Sequence, residues 1–134
     1  MKTAAIRRIL PLIIGDTLAI GLVTLWGFAS HNTLDTAGTR IFSTFFPLLG
    51  AWVLAASLVD LYDRQKALDL RQLWRPLWAM VFAAPLAAWL RGIWLGSPIL
   101  PIFVLILGSA AAMGLILWRG IYALAISKLR KAHG

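Results

Sequence analysis

The chain has no cysteine and no glutamate, and its 134 residues carry five acidic side chains against thirteen lysines and arginines. Without cysteine there is no disulfide framework, no thiolate metal site and no cysteine nucleophile. Without glutamate there are no paired glutamates, and the HExxH, GxSxG and glycine-rich phosphate-loop patterns are missing as well. Charge of either sign is scarce, at 13% of residues, where soluble domains carry about a quarter. Apolar residues take its place: 60% of the chain is hydrophobic and the mean hydropathy is +0.82. A water-soluble domain this small keeps too much of its surface wet to hide that much apolar area. Disorder needs the opposite composition. The composition implies one integral membrane domain over residues 1–134.

The gaps between charges locate the spans. A membrane helix needs about 20 mostly apolar residues. From Ile9 to about Ser30 the only charge is Asp16, and the nineteen residues from Ile41 to Val59 carry none. Leu77 to Leu90 is also uncharged, as is Gly92 to Trp118, whose front is cut off by the turn residues Gly96, Ser97, Pro98 and Pro101. These runs predict an all-α, polytopic bundle with four transmembrane helices at about 9–30, 41–62, 74–95 and 100–126. They are apolar on every face, so they are not the alternating strands of a membrane barrel. The first run is too long for a signal-peptide core and contains an aspartate.

Eleven of the thirteen basic residues flank one side: Lys2, Arg7 and Arg8; Arg64, Lys66, Arg71 and Arg75; Arg119, Lys128, Arg130 and Lys131. Only Arg40 and Arg91 fall on the other. This asymmetry predicts that both termini are cytoplasmic, in the cell (plasma/inner) membrane. Residues 63–73 form a cytoplasmic connector and 127–134 a basic tail. The connector reads as a short surface helix with apolar Leu61, Leu68 and Leu70. The net charge of +8 is explained by topology and by contact with anionic lipid headgroups; no folded basic module remains to hold nucleic acid.

Helices in lipid approach closely through small residues. Gly15 with Ala19, Ala51 with Ala55, Ala83 with Ala87, Ala84 with Ala88, and the set Gly108, Ala111, Ala112 and Gly114 supply such faces on all four helices. They suit contacts within one chain, a homo-oligomer or a larger membrane complex. Pro47 and Pro85 are expected to kink the second and third helices. Trp26, Trp74, Trp78, Trp89, Trp94, Trp118 and Tyr122 read as interfacial anchors.

Asp16 is the most informative residue. An ionised side chain in hydrocarbon costs about 2.5–3.5 kcal/mol on the gentlest scale, so it must find a partner or neutralise. Asp16 lies eight residues past Arg8, about 12 Å along a helix, and Arg119 nine residues before Lys128, about 13 Å. Equal depth predicts an Asp16–Arg119 ion pair between the first and fourth helices. Such a pair either holds two helices in register or serves as a proton or cation site; alternatively Asp16 bonds Thr17 or a backbone group, or sits in water near the headgroups. A second polar cluster is expected at the outer face, with His31, Asn32, Asp35 and Arg40 near Arg91. His31 and His133 lack supporting ligands, so no metal or cofactor site is expected, and the chain does not read as an enzyme. A lipid-modifying site on Asp60, Asp63 and Asp69 is the weaker alternative to a solvated charged face.

Several segments in order carry a resemblance: Gly15-Asp16-x-Leu18-Ala19, Ser30-His31, Phe46-Pro47-Leu48, Ala84-Pro85-Leu86, Leu90-Arg91-Gly92, Pro101-Ile102-Phe103-Val104 and Trp118-Arg119. From about Arg8 to Tyr122 the chain resembles a family of small four-helix bacterial and archaeal membrane proteins classed only as a domain of unknown function. Where that family usually has a glycine soon after Ser-His, this chain has Asn32. The resemblance implies the four-helix architecture and directs attention to Asp16, His31, Arg91 and Arg119. Two functional readings follow: a small solute or ion transporter built on the Asp16–Arg119 pair, or a non-enzymatic accessory or assembly subunit of a larger membrane complex. The first is similar in size to the small multidrug exporters, which use Glu and lack a facing Arg. A transporter should have a polar cavity reaching Asp16, and a subunit a dry, closed bundle.

Overall fold

The computed structural model describes residues 2–30, 38–96, 98 and 101–133, and among these all regular structure is helical. Four long helices, α1 (Lys2–Ser30), α2 (Thr39–Leu58), α3 (Trp74–Leu95) and α4 (Pro101–His133), are each long and apolar enough to cross a membrane. They pack in a ring: α1 against α2, α2 against α3, α3 against α4, and α4 back against α1, with α2 and α3 the closest pair. This is a membrane protein of four spans.

The helices exceed their apolar runs at both ends of the chain. α1 begins at Lys2, carrying Pro11 inside it, and α4 continues through the basic tail to His133. At 1.5 Å per residue, α4 is about 50 Å long, well beyond a hydrocarbon core of about 30 Å. Nothing stops a helix at the bilayer edge when Ala, Arg and Lys, all good helix formers, follow.

α2 instead ends at Leu58, before the expected end at about 62. Leu61 donates its backbone N–H to the Ala56 carbonyl at 2.9 Å and Asp60 donates to Ser57 at 3.4 Å. That is the double bond of a Schellman cap, and its left-handed position is filled by Asp60 at φ 57° rather than by glycine. Leu61 is thereby turned back under the bundle and buried. The connector is correspondingly not one amphipathic helix. It is a single turn, Arg64–Ala67, and a 3-10 turn, Leu70–Gln72. Asp63 and Asp69 break it, each accepting a hydrogen bond at 2.9 Å from the backbone N–H two residues on.

The interior is made by the small-residue faces. Ala51, Ala55, Ala79, Ala83, Ala84, Ala87, Ala111 and Ala112 are buried with Ile20, Leu48, Met80 and Leu115. A methyl group on Gly108 would stand 2.9 Å from Ala84 Cβ, and one on Gly114 2.9 Å from Val23 Cγ2, so these glycines set the spacing of α4 from α3 and α1. The hydroxyls of Thr17, Thr24 and Ser57 each donate to the carbonyl four residues back, and Ser43 to that three back. These four hydroxyls are thus satisfied within their own helices. Outward-facing Leu18, Leu22, Phe82, Ile93, Leu105 and Ile121 are exposed, as lipid-facing residues should be.

Candidate functional site: a buried ion pair

Asp16 lies midway along α1, on the face turned to α2 and α4, and is 1% exposed; Arg119 on α4 is 2% exposed. Arg119 Nη2 donates to Asp16 Oδ2 at 2.6 Å and Nε to Oδ1 at 3.2 Å, a two-pronged contact matching the planar fork of guanidinium to carboxylate. The third prong, Nη1, reaches the Leu61 carbonyl at 2.9 Å. That carbonyl points inward because the Asp60 cap has folded the connector under the helix ends. A third helix closes the site: Trp52 of α2, fully buried, donates its indole N–H to Asp16 Oδ2 at 3.0 Å. The guanidinium carbon lies 5.8 Å from the Trp52 ring and 5.6 Å from the Tyr62 ring, both within cation–π range.

One residue of the cluster is left open. The Tyr62 hydroxyl is buried and has no hydrogen-bond partner among the described residues, although it lies close enough to Asp16 to feel its charge. Burial first, and then the Asp16 carboxylate, push the Tyr62 phenol well above its ordinary value; Arg119 opposes them.

Trp52 and Tyr62 were not marked by their sequence context, and Thr17 bonds its own helix rather than Asp16. Trp118 is not a free interfacial anchor. Its indole is laid directly on Gly15, where a β-carbon would clash with it, and its N–H is buried without a partner among the described residues. Trp26, Trp74, Trp78, Trp89 and Trp94 are exposed.

At the opposite end, Arg91 of α3 donates Nε to Thr44 Oγ1 of α2 at 3.1 Å and stacks over the Phe103 ring of α4 at 4.6 Å. Arg40 stands one helical turn before Thr44, near enough for its charge to bear on Arg91. His31, Asn32 and Asp35 lie outside the described residues. Asp60, Asp63 and Asp69 are occupied separately: Asp60 pairs with Lys66 at 3.3 Å, and the other two cap turns. Among the described residues no three of His, Asp or Glu are grouped to hold a metal.

Four clefts stand out among the described residues. The largest of these four, about 590 Å³, is an open apolar groove between α1 and α4 over Gly15 and Trp118. Others lie between α3 and α4, between the connector and the end of α4, and between the end of α2 and the start of α3. None of the four is lined by Asp16 or Arg119.

The family profile of a protein of unknown function, DUF3054, matches residues 13–122. The chain belongs to the DUF3054 family. That span begins before Asp16 and ends after Arg119, so the ion pair falls inside the family's domain. No curated protein and no solved structure matches the sequence.

Proposed function

We propose that this DUF3054 member is a non-catalytic membrane component, an accessory or assembly subunit of a larger membrane complex. On this reading the Asp16–Arg119 pair is a lock that fixes the bundle. The supporting observation is the saturation of Asp16: its two oxygens receive three donors from two other helices, with both ions sealed from solvent. A transport carboxylate has to exchange partners with a space open to water, and the four clefts described above are lined by other residues. The ten basic residues near the connector and the chain ends, Arg119 being committed to the buried pair, support placement in the cell membrane with both termini in the cytoplasm.

The test combines two measurements on the wild-type chain. Extraction in mild detergent through an affinity tag is expected to bring down a partner in fixed stoichiometry. Reconstituted alone in vesicles, the protein is expected to dissipate an imposed pH gradient no faster than empty vesicles. Proton-coupled flux above that background overturns the subunit reading in favour of a small solute or ion transporter built around Asp16.

A further inference from the structure

We propose that the cleft between the end of α2, the connector and the start of α3 binds the headgroup of a membrane phospholipid bearing one net negative charge, of the phosphatidylglycerol type. The proposal does not rest on the ion-pair reading. The cleft measures about 320 Å³, and Asp60, Lys66, Trp74, Arg75 and Trp78 line it with Val59. Two cations and one carboxylate leave it one positive charge, which a phosphodiester neutralises.

The two cations are differently prepared. Arg75 is fixed: Nε donates to Gln72 Oε1 at 2.6 Å, Nη1 to the Val59 carbonyl at 2.9 Å, and the guanidinium carbon stacks 5.3 Å from the Trp74 ring. Its Nη2 has no acceptor among the described residues, so a positioned donor remains for a phosphate oxygen. Lys66 is held by fewer contacts, a single ion pair among the described residues. Its partner Asp60 is 66% exposed and the pair is 3.3 Å long. An ion pair that exposed is worth little, so its ammonium can turn to a phosphate at small cost.

Depth selects a lipid rather than a soluble ester. Trp74 and Trp78, one turn apart on α3 and both exposed, are the residue type that settles at headgroup level. Below them Leu77, Val81 and Phe82 present an exposed apolar face along which acyl chains can lie. Basic clefts between membrane helices are where acidic headgroups settle.

Native mass spectrometry of the protein released from nanodiscs of equal phosphatidylglycerol and phosphatidylcholine tests this. Wild type should retain phosphatidylglycerol preferentially. Lys66→Gln should reduce that retention about tenfold, the worth of one charge-assisted hydrogen bond to the phosphate, and Lys66→Arg should keep it. Arg8→Gln removes one charge from the same end outside the cleft and should leave retention unchanged. Equal losses in Lys66→Gln and Arg8→Gln would reduce the effect to general surface charge and overturn the site. So would absence of a preference in wild type. Displacement of the lipid by millimolar glycerol phosphate would identify a soluble ester as the ligand and overturn the lipid assignment.

Discussion

Replacing Arg119 by methionine removes three charged hydrogen bonds at once, two to Asp16 and one to the Leu61 carbonyl. The Asp16 carboxylate, 1% exposed, keeps only the Trp52 indole. Two magnitudes compete. Neutral hydrogen bonds between membrane helices average only about 0.6 kcal/mol, because the unfolded helices find other partners in lipid. An ion stripped of its partner in a sealed site costs about 3–5 kcal/mol. Here both ions are sealed and the contact is two-pronged, so the larger figure should apply to Arg119→Met. Asp16→Leu, which strands the guanidinium, should cost a similar amount. The double variant Asp16→Leu/Arg119→Met strands no ion and should recover much of the loss, leaving a deficit of about 2 kcal/mol, about 1 kcal/mol for each of the unpaired Trp52 N–H and Leu61 carbonyl. Unfolding in mixed micelles of rising denaturing detergent, followed by circular dichroism and size exclusion, measures all three. Single variants within 1 kcal/mol of wild type, or a double variant as damaged as the two singles together, would refute the reasoning.

Gly15→Ala should destabilise by about 1–3 kcal/mol by forcing the Trp118 indole off its seat. Gly50→Ala, at a glycine with nothing within 4 Å, should be neutral or stabilising by up to about 1 kcal/mol; the same detergent titration checks both. Asp60→Val should cost about 1–2 kcal/mol more than Asp60→Gly, because only the former strains the left-handed cap at φ 57°. Tyr62 holds its proton more tightly in the fold than its ordinary value of 10.0, so the folded state binds more protons and stability must fall as pH rises above about 10, by up to about 1.4 kcal/mol per unit. Tyr62→Phe should flatten that alkaline loss, measured as melting temperature against pH.

The four helices could be read from the sequence because the bilayer fixes a length and excludes charge, and the gaps between charges carry both signals. The depth of Asp16 and Arg119 could be counted for the same reason, since each lies a fixed rise from a basic flank. The helix ends were harder. α2 stops at Leu58 because a Schellman cap forms with aspartate where a glycine would have announced it, and no composition rule marks that. Trp52 could not be picked out among seven tryptophans; the one available signal is its place in a charge-free run beside Ala51, Ala55 and Ala56, at a depth where a buried carboxylate lacks donors. Trp118 reads as an anchor from sequence because the expected helix end at about 126 puts it near the interface, whereas α4 continues to His133 and Gly15, lacking a side chain, makes room for the indole within the bundle.

The division of labour between small and polar residues follows from the solvent. In lipid no hydrophobic force draws one apolar helix to another, so alanine and glycine faces allow close approach without choosing a register. A stripe of methyl groups slides. Direction has to come from bonds that fail when displaced by one turn, and each of three helix contacts carries one. Asp16–Arg119 joins α1 to α4, Trp52–Asp16 joins α2 to α1, and Arg91–Thr44 joins α3 to α2 at the far end. At the near end, Arg75 reaches the Val59 carbonyl and Arg119 the Leu61 carbonyl, so two arginines hold the same turn from opposite sides. That turn exists only because Asp60 ends α2 early. Three arginines thus tie the alanine-packed helices and the connector into one arrangement, whereas α3 and α4 meet through packing, which includes Gly108 against Ala84 and Arg91 stacked on Phe103. If one pair of helices is to part when a partner binds, the physics selects α3 and α4, the neighbours in the ring that no hydrogen bond between described side chains joins.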